Sequence, residues 1–165
     1  MKHVIELYDQ TMIEKQKKKY KVSRAALAAF VFVALAVCIA LVCATGTLNA
    51  SKMSVAVIVV SGACGCAAIY FGTFVVAQTK YEYTHAENMV NGEKETYSGK
   101  LTLEKGEMRI IRSISIKRAV INDGREEKRL LVNARVAHRL PLDKDITVYV
   151  AHGYIAAYEE NDENI

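Results

Sequence analysis

Residues 25–48, AALAAFVFVALAVCIALVCATGTL, and residues 53–78, MSVAVIVVSGACGCAAIYFGTFVVAQ, contain no Asp, Glu, Lys, Arg or His, and only Asn49-Ala50-Ser51-Lys52 separates them. An α-helix needs about 20 apolar residues, range about 17–25, to cross the hydrocarbon core of a bilayer. Both stretches meet that length, so the sequence predicts a membrane-spanning α-helical hairpin over 24–78. A basic, partly amphipathic arm, 1–23, precedes it. An extramembrane domain, 79–158, and an acidic tail, 159–165, follow.

Charge gives the hairpin a direction. Residues 1–24, up to the first apolar stretch, carry a formal charge of +4, the connection +1 through Lys52, and the remainder −1. Lys15, Lys17, Lys18, Lys19, Lys21 and Arg24 crowd the start of the first span. Basic residues within about 15–20 positions of a span stay on the cytoplasmic side, so both termini are expected in the cytoplasm, across an inner cell membrane. The same six residues form a candidate surface for anionic lipid head groups. A cleaved signal peptide is not expected, because its apolar core is only about 7–15 residues. Leu35-Ala36-Val37-Cys38 lacks the small residue that lipoprotein processing needs before the cysteine. Asn49-Ala50-Ser51 matches the glycosylation pattern but lies too close to the membrane to be used.

Within the spans, small residues recur at helical spacing: Ala36, Ala40 and Ala44 in the first, and Ser61, Gly62, Gly65, Cys66, Ala68 and Gly72 in the second. Such spacing lets helix backbones approach closely, so the second set is a candidate packing face, within the hairpin or in a homo-oligomer. Spans without ionisable residues lack the groups that mark ion paths and proton relays, which argues against transport. All four cysteines, Cys38, Cys43, Cys64 and Cys66, lie in the spans. The domain that follows therefore has no disulfide framework, as fits a reducing compartment.

Residues 1–23 read as a helix with an incomplete apolar stripe, Val4, Ile5, Tyr8 and Met12, that Tyr20 can extend. After the second span, Tyr81 and Tyr83 alternate with polar residues, either extending the helix or starting a strand, and Asn91-Gly92 signals a turn. Strands are then expected over 97–104, with Leu101 and Leu103 inward, and over 108–122, with Ile110, Ile114, Ile116 and Val120 inward and a bulge near Arg112. Lys105-Gly106 and Asn122-Asp123-Gly124 mark hairpin turns between strands. Leu130, Val132, Ala134, Val136 and His138 line a third strand, Ile146, Val148 and Val150 a fourth, and Gly153 precedes a last one over 154–158. Four to six short, mainly antiparallel strands imply a small all-β domain, an OB-like or SH3-like barrel. In this layout the chain resembles small bacterial membrane proteins that carry a cytosolic OB-like barrel after a helical anchor. The resemblance lies in architecture, with no motif, and implies no function.

No residue pattern specifies chemistry. His3, His85, His138 and His152 are scattered, although His138 and His152 flank one strand connection together with Asp143 and Asp145. No phosphate-binding loop is present, and Ser113 and Ser115 sit among isoleucines rather than at a nucleophile elbow. Catalytic residues, cofactors and metals are not expected. Nucleic acid is not expected either: Arg109 to Arg139 are interleaved with Glu104, Glu107, Glu126 and Glu127, and no aromatic stands between Tyr97 and Tyr149 to stack a base. Cross-strand ion pairs explain this pattern better. The expectation is a non-enzymatic membrane protein presenting a β-domain to a protein partner, a second copy or the membrane surface. The alternative is a ligand- or nucleic-acid-binding sensory module that signals through the hairpin.

Overall fold

A computed structural model describes residues 4–45, 50–104, 109–111 and 114–160, with side chains for all of these except 44–45 and 50–54. The chain forms two compact units, one comprising 17–80 and the other 1–16 with 81–165.

In the first unit the apolar stretches are helical. Helix α1 (Gln10–Thr45) carries the first as far as Thr45, and α2 (Ala50–Tyr70), a π-helical segment (Phe71–Val76) and α3 (Ala77–Asn91) carry the second. Ala50, Ser51 and Lys52, expected in the connection, form the first turn of α2. Both helices are long and apolar enough to cross a membrane, and their apolar windows are unburied. A helix from the core of a soluble protein would be covered. Covered positions recur at intervals of three, four or seven residues, at Tyr20, Ser23, Leu27, Ala34, Cys38 and Leu41 on α1 and at Val57, Val60, Cys64, Ala68 and Gly72 on the second stretch. That period of about 3.5 is the seam of two helices packing side by side. In the π segment the Ala77 N–H reaches back five residues to the Gly72 carbonyl.

The second unit is a mixed sheet of seven strands: β1 (Val4–Glu6), β2 (Glu95–Leu103), β3 (Arg109–Ile111), β4 (Ile114–Asn122), β5 (Glu127–Asn133), β6 (Asp145–Ala151) and β7 (Tyr154–Glu160). β2 pairs antiparallel with β6 through 95–100 and with β4 through 100–103. β5 lies antiparallel to β4, and β7 antiparallel to β6. A single parallel pairing, Leu131 with Tyr154, joins β5 to β7, where the Leu131 N–H donates to the Gly153 carbonyl at 2.9 Å. Beyond it the same edge of β7 is taken by β1, with Val4, Ile5 and Glu6 opposite Glu159, Tyr158 and Ala157.

Four expectations are corrected. Val4–Glu6 is a strand, and the helix begins only at Gln10. The apolar spacing that suggested a helical stripe reflects Leu7 and Tyr8 entering the β core. The run 108–122 is not one kinked strand: Ile111 faces Ile114, so the chain reverses into β3 and β4. Ile110 is accordingly 73% exposed, and β4 buries Ile116, Ala119 and Ile121 while Val120 is half-buried. His138 lies exposed in a 3₁₀ turn (Ala137–Arg139) after β5 has ended, not on an inward face. Glu159 and Glu160, read as tail, belong to β7, and Glu159 is buried. The Lys105-Gly106 turn, the bulge at Arg112, His3 and 161–165 lie outside the described residues.

Other expectations hold. Leu101, Leu130, Val132, Ile146, Val148 and Val150 form the core with Met89 of α3 and Leu7, each buried apolar side chain contributing about 1.5–3 kcal/mol relative to exposure. The Asn122-Asp123-Gly124 turn joins β4 to β5. The Asp123 carboxylate accepts the backbone N–H groups of Arg125 and Glu126 at 2.8 and 2.9 Å, and these bonds hold its pKa below the usual carboxylate value. Gly99 marks the point where β2 changes partners. Its φ is +151°, and a Cβ there would fall 2.3 Å from the Asn122 carbonyl oxygen. The strand bends only where no side chain exists. Gly99→Ala is therefore expected to lower stability by about 2–3 kcal/mol through strain and backbone collision, read as a lower thermal midpoint in circular dichroism; an unchanged midpoint would contradict the bend.

Candidate functional site

The most polar part of the β unit's interior lies where the N-terminal segment meets α3 and the β5–β7 edge. After β1 the Leu7 N–H donates to the Ala156 carbonyl at 3.0 Å, continuing the ladder. Asp9 then starts α1: its carboxylate accepts the Met12 N–H and the Thr11 hydroxyl, both at 2.7 Å. Side-chain oxygens at this position satisfy backbone donors that the first helical turn leaves open, and the Thr11 bond, then the Met12 bond, depress the Asp9 pKa. Strand and cap together leave Tyr8 pointing inward, 5% exposed.

The Tyr8 hydroxyl lies 3.2 Å from His85 Nε2 on α3. The His85 ring stands edge-on to Tyr154 of β7, with centroids 4.7 Å apart. Burial pulls the His85 pKa down to about 4 and pushes the Tyr8 phenol well above its usual range; the neighbouring Tyr154 adds to that rise and a bond to the Asn133 side chain opposes it. Near neutrality both groups are uncharged, and the Tyr8 hydroxyl and His85 Nε2 share one hydrogen bond. These contacts fasten the arm to α3 and β7.

Ion pairs secure neighbouring positions. Glu82, one turn before His85, is buried, and its Oε1 lies 3.7 Å from Arg135 Nη2. A buried carboxylate is tolerated only with such partners. Arg135 sits in a turn where its N–H donates to the Asn133 side chain at 3.0 Å. At the other end of β7, the Tyr149 hydroxyl donates to buried Glu159 at 3.1 Å, which raises the Tyr149 pKa. Apolar periodicity could not reveal this cluster, because its members on α3 are Glu82 and His85. The available signal was their three-residue spacing, continued by Met89.

The residues singled out from sequence are distributed differently. Lys15, Lys17, Lys18, Lys19, Lys21 and Arg24 are all exposed on α1. Of the small-residue set, Ala68 and Gly72 are partly covered, and a Cβ at Gly72 would meet Leu27 at 3.6 Å. Ser61, Gly62, Gly65 and Cys66 are exposed, with open space around both glycines. Ala36 and Ala40 are likewise exposed, while the side chain of Ala44 lies outside the described residues. The hairpin contact also uses two residues absent from that set: Ser23 and Thr79 share a hydrogen bond of 2.9 Å between their hydroxyls, inside an otherwise apolar seam.

On the sheet surface Glu104 lies 3.7 Å from Arg118 and 3.6 Å from Arg129, and Lys128 sits 4.8 Å above the Tyr97 ring. His138 is in its 3₁₀ turn, and His152 occupies the exposed β6–β7 turn with a φ of +51°. Among the described residues no three His, Cys, Asp or Glu side chains gather as metal ligands. No family model, curated protein or solved structure matches the chain.

The depressed His85 pKa gives a signed pH dependence. Unfolding lets the imidazole return to its ordinary value near 6.5, so between about pH 6.5 and 4 the unfolded chain binds a proton that the folded chain does not. Stability is complete above that window and falls as pH drops through it, by up to about 3 kcal/mol. Thermal melts of the full chain in detergent are expected to show the midpoint falling from pH 7 to 4.5, with His85→Gln flattening the slope. An equal slope in the variant would assign the effect elsewhere.

Proposed function

We propose that the chain is a non-enzymatic inner-membrane protein whose two spans return both termini to the cytoplasm, where residues 1–16 and 81–160 build a small OB-type barrel that presents a charged surface to a macromolecular partner. The observation that carries this reading is the pairing of β1 with β7. It ties the segment before the first span to the segment after the second. A polar sheet made from both cannot lie on two sides of a bilayer, so the number of crossings is even. The basic residues before the first span favour the cytoplasmic side.

The barrel reading is supported by the circuit of pairings β2–β4–β5–β7–β6–β2, five strands with the parallel β5–β7 contact as the closing step. Closure of this kind removes sheet edges. The bend at Gly99, where β2 passes from β6 to β4, supplies the curvature. The presenting surface is the outer face of β4 and β5. There Arg118 and Arg129 share Glu104, an arrangement that keeps the face soluble while offering charge to a protein partner. Exposed pairs of this kind contribute roughly 0–1 kcal/mol to stability, so their use is more readily explained by recognition than by folding.

The topology is tested with single cysteines at Glu14 and Arg125, in a chain whose four native cysteines are replaced by alanine. An impermeant maleimide is expected to label both in inverted vesicles and neither in intact spheroplasts; labelling on opposite sides would refute the shared unit. A photo-crosslinker at Arg129 in native membranes is expected to trap a protein, which includes a second copy, and no adduct at all would refute the presenting role.

A further inference from the structure

Between the two helices of the hairpin lies a cavity of about 370 Å³, lined by Ala26 and Phe30 of α1 and by Ala67, Tyr70 and Phe71 of the second stretch. We propose that this cavity holds one acyl chain of an anionic phospholipid whose head group is met by Lys19. This rests on the reading of both helices as membrane spans.

The cavity follows from side-chain size. Alanines from both helices line it and leave space, and the rings of Phe30, Tyr70 and Phe71 wall it. Tyr70 is in turn held against Phe74, with centroids 4.7 Å apart. The π segment begins at Phe71 and inserts an extra residue into the turn, so positions after it leave the register set by Ala67 and Tyr70. The volume lies at the low end of the roughly 300–1,000 Å³ of ligand pockets, which suits one hydrocarbon chain better than a whole lipid. The lining carries no charged group, and a cavity on a membrane span opens to hydrocarbon.

The head group is identified by charge and phase. At 100° per residue, Lys19 projects within about 20° of Ala26 and of Phe30, roughly 10 Å nearer the N-terminus than Ala26. Lys19 is exposed. Arg24 and Lys21 point to the opposite side of the helix and add only to the general field. A chain lying in the cavity with its phosphate toward the N-terminal end of α1 thus meets a cation on the same face.

Native mass spectrometry of the full chain, released from micelles containing phosphatidylglycerol or phosphatidylcholine, tests this. The wild type is expected to retain one phosphatidylglycerol in preference to phosphatidylcholine. Lys19→Gln should reduce that preference about fivefold, the effect of one basic residue at a membrane surface, and Ala67→Phe should abolish retention of both lipids. Gly62→Leu, on a face with open space around it, should leave retention unchanged. The proposal is overturned by equal retention of the two lipids by the wild type, by full retention in Ala67→Phe, by an unchanged preference in Lys19→Gln, or by equal losses in Gly62→Leu and Ala67→Phe. Alkaline extraction of the same variants separates the two levels: release of the chain itself overturns the membrane reading, whereas a wild-type chain that stays membrane-integral but retains no phosphatidylglycerol overturns the acyl-chain site alone.

Discussion

Three residue pairs, Val4 with Glu159, Ile5 with Tyr158 and Glu6 with Ala157, join the two ends of the described chain. A three-residue strand contributes little by itself. Its value comes from what it continues: Leu7 extends the ladder to Ala156, Tyr8 enters the core beside His85, and Asp9 caps the helix that becomes the first apolar stretch. Without that pairing, β7 would expose an edge beyond the short reach of β5, and Leu7 and Tyr8 would lose their sites. The two ends of the described chain are joined by backbone hydrogen bonds, and the hairpin is the loop they close.

The surroundings of His85 follow from the same constraint. A hydroxyl and an imidazole brought into an apolar interior favour their neutral forms, because burial penalises charge more than their mutual hydrogen bond restores it. Glu82 remains within reach of a positive charge because Arg135 stands in the turn after β5. On α3, Glu82 is thus buried but paired with an arginine that reaches solvent, while the partly covered His85 meets Tyr8 and Tyr154.

Much of this was legible in the sequence, because two of the signals are simple. An apolar run as long as 53–78 reads as a helix long and apolar enough to cross a membrane, and alternation such as Ile146, Val148 and Val150 reads as a strand with one buried face. The Asn122-Asp123-Gly124 turn is local and was equally plain. The failures share a cause, which is dependence on distant partners. Val4–Glu6 is a strand only because β7 offers an edge, and three residues are too few to show a period. Ile110 and Ile111 carry β-branched side chains in a reversal that only the pairing with Ile114 reveals. Glu159 looks like part of a solvated tail until Tyr149 and the β1 edge are placed around it. The Tyr8–His85–Tyr154 cluster joins three segments far apart in the chain, and no spacing rule links them.

The pairing of the N-terminal strand with the C-terminal one is therefore the claim to test first. In membranes from cells producing a chain without native cysteines, Glu6→Cys combined with Ala157→Cys is expected to form a disulfide on mild oxidation, visible as a mobility shift. Glu6→Cys combined with Thr147→Cys, which places the second thiol on β6 across β7, is expected not to. Absence of the 6–157 link, or equal yield from both pairs, would contradict the joined ends and with them the two-crossing hairpin.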